Sequence, residues 1–254
     1  MSRSFDAPAF YYPGQLLSGS FELIFILDDI IYNKKGFNMT LFTERLHEAG
    51  KDVWKKLLSH EFLQTTYRQE IADETFAQWV RQDYIFVREA IPFIAFITGR
   101  APLNLRSQLA NIIGMLVKEL GMFEEMADQH KISLENINPS PTCHAYLQYL
   151  YSTGNICPVE ESFTVLYSAE KAYYDSWKTV KDNLQSESKW QRFIDYWSSD
   201  DFGAYVKWIA GELNRLAEGL PEHKLKKMEE HYITTGRYEY LFWTMAQTSE
   251  KWPV

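Results

Sequence analysis

Two cysteines, Cys143 and Cys157, are all that 254 residues contain, and they show no CxxC spacing. That scarcity argues against a disulfide-framed secreted scaffold or a zinc ribbon and fits a reducing compartment. Long apolar runs are missing as well. The most apolar early stretch, residues 21–32, is short and carries Glu22, Asp28 and Asp29, so it cannot span a bilayer. The start lacks a basic region leading into an apolar stretch, so no signal peptide is expected. Positive charge is in deficit: 26 Lys and Arg stand against 34 Asp and Glu, a net charge of -8. Such a surface repels phosphate backbones, and no nucleic-acid partner is expected. The chain reads as soluble and cytoplasmic, with no membrane partner.

Glycine and proline are also sparse, at 12 and 9, and they fall mostly between segments of regular period. What is abundant is apolar bulk: 46% hydrophobic residues and 16% aromatic, enough to bury a core without disulfide or metal staples. Residues 1–40 differ from the rest, with Gly14, Ser18, Gly19 and Ser20 breaking the pattern and Lys34-Lys35-Gly36 forming a turn. They read as an extension packed on the domain, with one short helix or strand near 20–32. Met39-Thr40 opens a helical pattern and is an alternative start. From there the spacing predicts helices over 41–58, 60–70, 74–98, 103–130, 141–152, 159–184, 187–197, 201–218 and 222–248. Asp73-Glu74 supplies one N-cap signal and Ser186 another. Without βαβ alternation or repeats, long helices joined by short loops define an all-α bundle, a single domain over 41–254.

Three acids sit where apolar residues belong. In helix 74–98 the inward stripe is Phe76, Trp79, Val80, Asp83, Val87, Ala90 and Ile94, with Asp83 in its middle. Helix 159–184 places Glu170 among Phe163, Leu166, Tyr173, Tyr174 and Trp177. Helix 222–248 places Glu239 among Leu225, Met228, Tyr232, Phe242, Trp243 and Ala246. Burying a carboxylate costs several kcal/mol unless it is paired, hydrogen-bonded or protonated. Each could be held by a buried Tyr, Trp or Arg as a structural contact. Three in one bundle point instead to a pocket of raised-pKa acids suited to acid/base chemistry. A dinuclear metal centre needs Glu-x-x-His pairs, but Phe86, Tyr173 and Phe242 follow the three acids at that spacing, so no metal is expected. Haem is a further rival. His47 is the one candidate axial ligand, and no glycine-rich distal segment accompanies it.

Three segments, in order, resemble a known family. Gln82-Asp83-Tyr84-Ile85-Phe86 resembles the Gln-Asp signature of TenA (thiaminase II-like) proteins. Pro139-Ser140-Pro141-Thr142 leading to Tyr146 resembles the segment with that family's active-site tyrosine. Arg237-Tyr238-Glu239-Tyr240-Leu241-Phe242-Trp243 resembles its C-terminal motif. The resemblance runs from about residue 44 to the end.

It implies a haem-oxygenase-like helical bundle and a hydrolase that salvages aminomethyl- or formylaminomethyl-pyrimidines for thiamin synthesis, without a cofactor. It further implies that Asp83 binds the aminopyrimidine edge, that Tyr146 orders the site, and that Glu239 is the catalytic acid/base. Ala169 stands where the best-known branch has its nucleophilic cysteine. Glu170-Lys171-Ala172-Tyr173 instead resembles a glutamate-type branch, in which Glu170 and Glu239 share the chemistry. Pocket rings are expected from Phe86, Tyr146, Tyr173, Trp197 and Trp243. Trp197 stands where the cysteine branch has a second tyrosine, and Cys143 reads as a small buried residue. A homodimer or homotetramer is expected. Two other readings are a non-catalytic pyrimidine-binding or regulatory protein and an oxidase of the wider fold family.

Overall fold

The computed structural model describes residues 41–254, so the expectations for residues 1–40, including an element near 20–32, lie outside the described residues. Residues 41–254 form one compact unit with nine α-helices among the described residues. They are α1 (Phe42–Leu58), α2 (Glu61–Tyr67), α3 (Asp73–Arg100), α4 (Leu103–Gln129), α5 (Pro141–Ile156), α6 (Val159–Asn183), α7 (Gln191–Trp197), α8 (Asp200–Ala217) and α9 (Glu222–Thr248). No strand occurs among the described residues, and none of their helices is long and apolar enough to cross a membrane.

Local sequence sets several boundaries. Ser140 caps α5 by accepting from the Cys143 N–H at 3.3 Å, and Pro141 opens the helix where its missing donor costs nothing. Ser199 does the same for α8, accepting from Phe202 at 3.1 Å. Asp73 is the first residue inside α3 rather than its cap. Its carboxylate and that of Glu74 complement the helix dipole there. The helix expected from 187 begins only at Gln191, because residues before it are held by other bonds. Gln69 donates to the Ser186 hydroxyl at 2.8 Å, and Ser188 receives the Trp190 N–H at 3.2 Å.

Helix α3 packs on α4 and α5, α9 packs on α1 and α6, and α3 meets α9 across the centre. The centre is aromatic. Trp79, wholly buried, has Phe76 and Trp177 rings at 4.9 Å, Phe193 at 5.4 Å and Trp197 at 5.6 Å. Such pairs add about 0.5–1.5 kcal/mol each beyond the area they bury. Its indole N–H also donates to the Tyr173 hydroxyl at 3.4 Å, tying this core to the acids described below.

Helix α1 approaches α9 so closely that a Cβ on Gly50 would stand 2.6 Å from the Tyr232 ring. Tyr232 cannot give way easily, since it is stacked on Trp54 at 4.6 Å. Alanine at position 50 gains up to about 1 kcal/mol in helix propensity. Overpacking outweighs that gain, and Gly50→Ala is expected to destabilise the protein by about 1–2 kcal/mol. A lowered urea midpoint at unchanged slope checks it.

Candidate active site

The inward stripes of α3, α6 and α9 converge on a cavity of about 70 Å³, several times the room one water needs. Asp83, Phe86, Glu170, Tyr173, Trp197 and Glu239 line it, together with Ala169 and the apolar side chains of Val87, Phe93, Ile94 and Leu166. Six of the eight residues expected at the site therefore meet in one place. The other two stand one layer back. Tyr146 supports Glu239, and Trp243 lies behind Tyr173 with ring centroids 5.5 Å apart. Phe86 reaches this layer too, 4.8 Å from the Tyr146 ring.

Each acid is anchored by one phenol. The Tyr146 hydroxyl donates to Glu239 Oε1 at 2.6 Å, Tyr173 donates to Asp83 Oδ1, and Tyr205 donates to Glu170 Oε1 at 3.2 Å. In two of them the second oxygen is buried without a protein partner: Asp83 Oδ2 and Glu239 Oε2. Buried polar atoms are nearly always paired, and of the buried unpartnered side-chain atoms among the described residues these two belong to residues that line the cavity.

Gln82, next to Asp83, fixes the approach of α5. Its amide donates to the Asn138 carbonyl at 3.0 Å and accepts from the Ser140 N–H at 2.8 Å. The Gln-Asp pair thus has two tasks, one carboxyl for the cavity and one amide for the loop that starts the tyrosine-bearing helix.

Burial dominates the electrostatics. It pushes Asp83 up to about 8, with the Tyr173 hydrogen bond opposing and Glu170 adding to the rise. Glu170 is pushed up to about 7 by burial, with Tyr205 opposing. Glu239 is held well above the ordinary carboxyl range, mainly by burial and further by Asp83 and Glu170, against the Tyr146 bond. Asp83 is therefore mostly protonated near neutral pH and Glu170 divides between its two forms, while burial favours the neutral form of Glu239.

A fourth acid, Glu119 of α4, also lines the cavity and was missed in the sequence. It accepts from Trp197 Nε1 at 3.3 Å and from the Tyr196 hydroxyl at 3.4 Å. Burial first, then Glu170 and Asp83, hold it well above the usual range. The same inward-acid signal was present: Leu105, Leu109, Ile112, Leu116, Glu119, Phe123 and Met126 follow one stripe. Tyr196 and Tyr205 had no such signal, since phenols are common in any core.

Neither cysteine is among the cavity residues, and Ala169 lies on its wall. Cys143 is wholly buried with its thiol toward the Gln82 carbonyl at 3.7 Å, and burial raises its pKa far above the ordinary thiol value. His47 is engaged elsewhere, 2.7 Å from the Tyr167 hydroxyl. Among the described residues, a His, Cys and Glu group close enough to share an ion is Cys157, Glu161 and His231, none of which lines the cavity.

The all-helical bundle of the described residues has the haem oxygenase-like fold. Haem oxygenase-1 from Synechocystis superposes at a TM-score of 0.58 with 10% identity, a likeness of fold alone. Within that fold, the TENA/THI-4/PQQC family profile matches residues 47–249, and the chain belongs to this family. A TenA homologue from Pyrococcus furiosus is 38% identical, with a TM-score of 0.79 over 81% of this chain and 100% of the other. An aminopyrimidine aminohydrolase from Helicobacter pylori is 25% identical over 214 residues, which is 82% of this chain and 99% of that protein. A probable bifunctional TENA-E protein from Glycine max is 25% identical over 182 residues, covering 68% and 79%.

Proposed function

We propose that this chain is an aminopyrimidine aminohydrolase that cleaves the exocyclic C–N bond of aminomethyl- or formylaminomethyl-pyrimidines in pyrimidine salvage for thiamin. The observation that carries the reading is the pair of cavity-facing acids with one oxygen anchored and one unpartnered, Asp83 and Glu239. The similarity to proteins named for this activity supports it.

Asp83 recognises the substrate. A neutral carboxyl presents one O–H donor and one acceptor side by side, the complement of a ring nitrogen next to an amino group. Tyr173 takes one lone pair of Oδ1, so Oδ2–H donates to the ring nitrogen and the second lone pair of Oδ1 accepts from the amino group. Phe86, Tyr173 and Trp197 supply ring faces and edges for the pyrimidine. Glu239 carries the proton delivered to the leaving nitrogen on Oε2, since Oε1 is occupied by Tyr146. Glu170, poised near neutrality, takes a proton from the attacking water. The bond from the methylene carbon to nitrogen breaks and a C–O bond to the water forms, giving the hydroxymethyl-pyrimidine. The nitrogen leaves as ammonia from the aminomethyl substrate and as formamide from the formylaminomethyl one. Tyr146 orients Glu239, and Trp243 backs Tyr173.

The chain falls in the glutamate-type branch. Ala169 on the wall offers no nucleophile, both thiols lie outside the cavity lining, and Glu170 follows Ala169 directly. Residues 41–254 are the catalytic domain, with 1–40 as its extension. The protein works in the cytoplasm as a homodimer or homotetramer, an assembly that would cover exposed Leu103, Val117 and Ile156.

The test is formation of hydroxymethyl-pyrimidine from each substrate, with Glu170→Gln as the control expected to lose turnover. Binding without turnover in the unaltered protein would sink the hydrolase reading. The pH profile has a definite sign. Below about 7 protonation removes Glu170 as base, and above about 8 ionisation removes the Asp83 donor. The profile of kcat/KM is therefore a bell centred between those limbs, whose apparent values belong to the coupled set of acids. A profile still rising at high pH contradicts it.

A further inference from the structure

Away from the cavity, three side chains of a different kind meet where the α5–α6 connection crosses α9. Cys157 ends α5, Glu161 lies in the first turn of α6, and His231 lies on α9. Their sulfur, carboxylate oxygen and ring nitrogen all lie within 4.8 Å of one another. His231 Nε2 is 3.0 Å from Glu161 Oε2, and its Nδ1 is 2.8 Å from the Tyr149 hydroxyl. Glu161 and His231 are buried, and Cys157 is half-buried.

A hydrogen bond from His231 to Glu161 is enough to staple α6 to α9, but that role does not need a thiol on the third element. Thiolate, imidazole and carboxylate together are a donor set for zinc, and the soft sulfur disfavours magnesium and calcium. Ligand atoms on tetrahedral zinc stand roughly 3.3–3.6 Å apart, so an ion has to draw the widest pair of this group together by at most roughly 1.5 Å. Tyr149 supplies the outer partner that ligating histidines nearly always have. With Nδ1–H donating to its oxygen, the Nε2 lone pair turns toward Glu161 and Cys157. The half-exposed side of Cys157 leaves an entry path and a fourth position for water.

We propose that Cys157, Glu161 and His231 form a structural Zn²⁺ site, with Tyr149 as a positioning residue. Binding releases the thiol proton, and the thiolate and carboxylate then balance the ion's two charges. The consequence reaches the cavity through packing. Tyr149 lies one turn after Tyr146 on α5, and both rings stack on Tyr238 of α9, at 5.2 and 4.9 Å. The ion therefore ties together the two helices whose approach sets the Tyr146–Glu239 hydrogen bond.

The test strips the full chain with a chelator and titrates it with Co²⁺. One equivalent per chain is expected, with a thiolate-to-cobalt charge-transfer band that Zn²⁺ abolishes. Cys157→Ser removes the band, and Tyr149→Phe weakens the affinity about tenfold. Zinc raises the melting temperature of the unaltered protein and not that of Cys157→Ser. Because Cys157 is half-exposed, this serine variant separates metal loss from folding failure. Absence of the band in the unaltered protein, its survival in Cys157→Ser, or a melting temperature indifferent to zinc each overturns the site.

Discussion

Glu239→Gln lowers kcat by about 10²–10⁴ while the protein folds and binds pyrimidine as before, the range removed with a positioned general acid. The substitution suits the question because glutamine mimics the protonated carboxyl that burial favours. Burial holds Glu239 well above the usual carboxyl range, and glutamine keeps the size and shape of that neutral form. Its amide oxygen still accepts from the Tyr146 hydroxyl, which stands 2.6 Å from Oε1. What is lost is the transferable proton on Oε2, the oxygen without a protein partner. Steady-state kinetics separates the cases. A fall in kcat at nearly constant KM identifies a group acting in the transition state. A rise in KM with kcat retained would assign Glu239 to binding instead.

Trp79→Ala is expected to cost about 4 kcal/mol, the range for deleting a wholly buried large aromatic. Against a total of about 5–15 kcal/mol, that is a large share of the stability. The size follows from position: Trp79 faces rings contributed by α2, α3, α4, α6, α7 and α9, so no single neighbour can close the hole. Denaturant unfolding reads the loss directly. The indole N–H also holds the Tyr173 hydroxyl, which donates to Asp83. Trp79→Phe keeps much of the ring packing, loses part of the buried volume and removes that donor. It should therefore bind substrate less tightly than its smaller stability loss would suggest, and equal binding would show that the Tyr173–Asp83 pair needs no support from the core.

Much of this architecture is written in periodicity. The stripes holding Asp83, Glu170 and Glu239 are local patterns, and helices that bury one face bring such residues together without further information. The same rule covers Glu119, but its α4 surroundings match no motif, so nothing singled it out. The missed boundaries have tertiary causes. The expected helix over 60–70 stops at Tyr67, because Gln69 adopts a positive φ of 58° and the Glu70 and Ile71 N–H groups close on the Thr65 carbonyl. Helix α5 runs past 152 to Ile156 because Gly154 is not a terminator. A Cβ there would stand 2.8 Å from the Phe93 ring, so this glycine admits α3. Neither cause is visible one residue at a time. How far each carboxyl is pushed up is also not legible in the sequence, since it depends first on how deeply each is buried and only then on the phenol and the neighbouring acids it meets.

Single turnover of the aminomethyl-pyrimidine in ¹⁸O-labelled water, with the intact protein mass followed in parallel, tests the glutamate-pair mechanism most directly. The account predicts label in the hydroxymethyl product, ammonia released in equal amount, and no mass added to the protein at any time. A pyrimidine adduct on the chain, or a bound pyrimidine that never turns over, would contradict it.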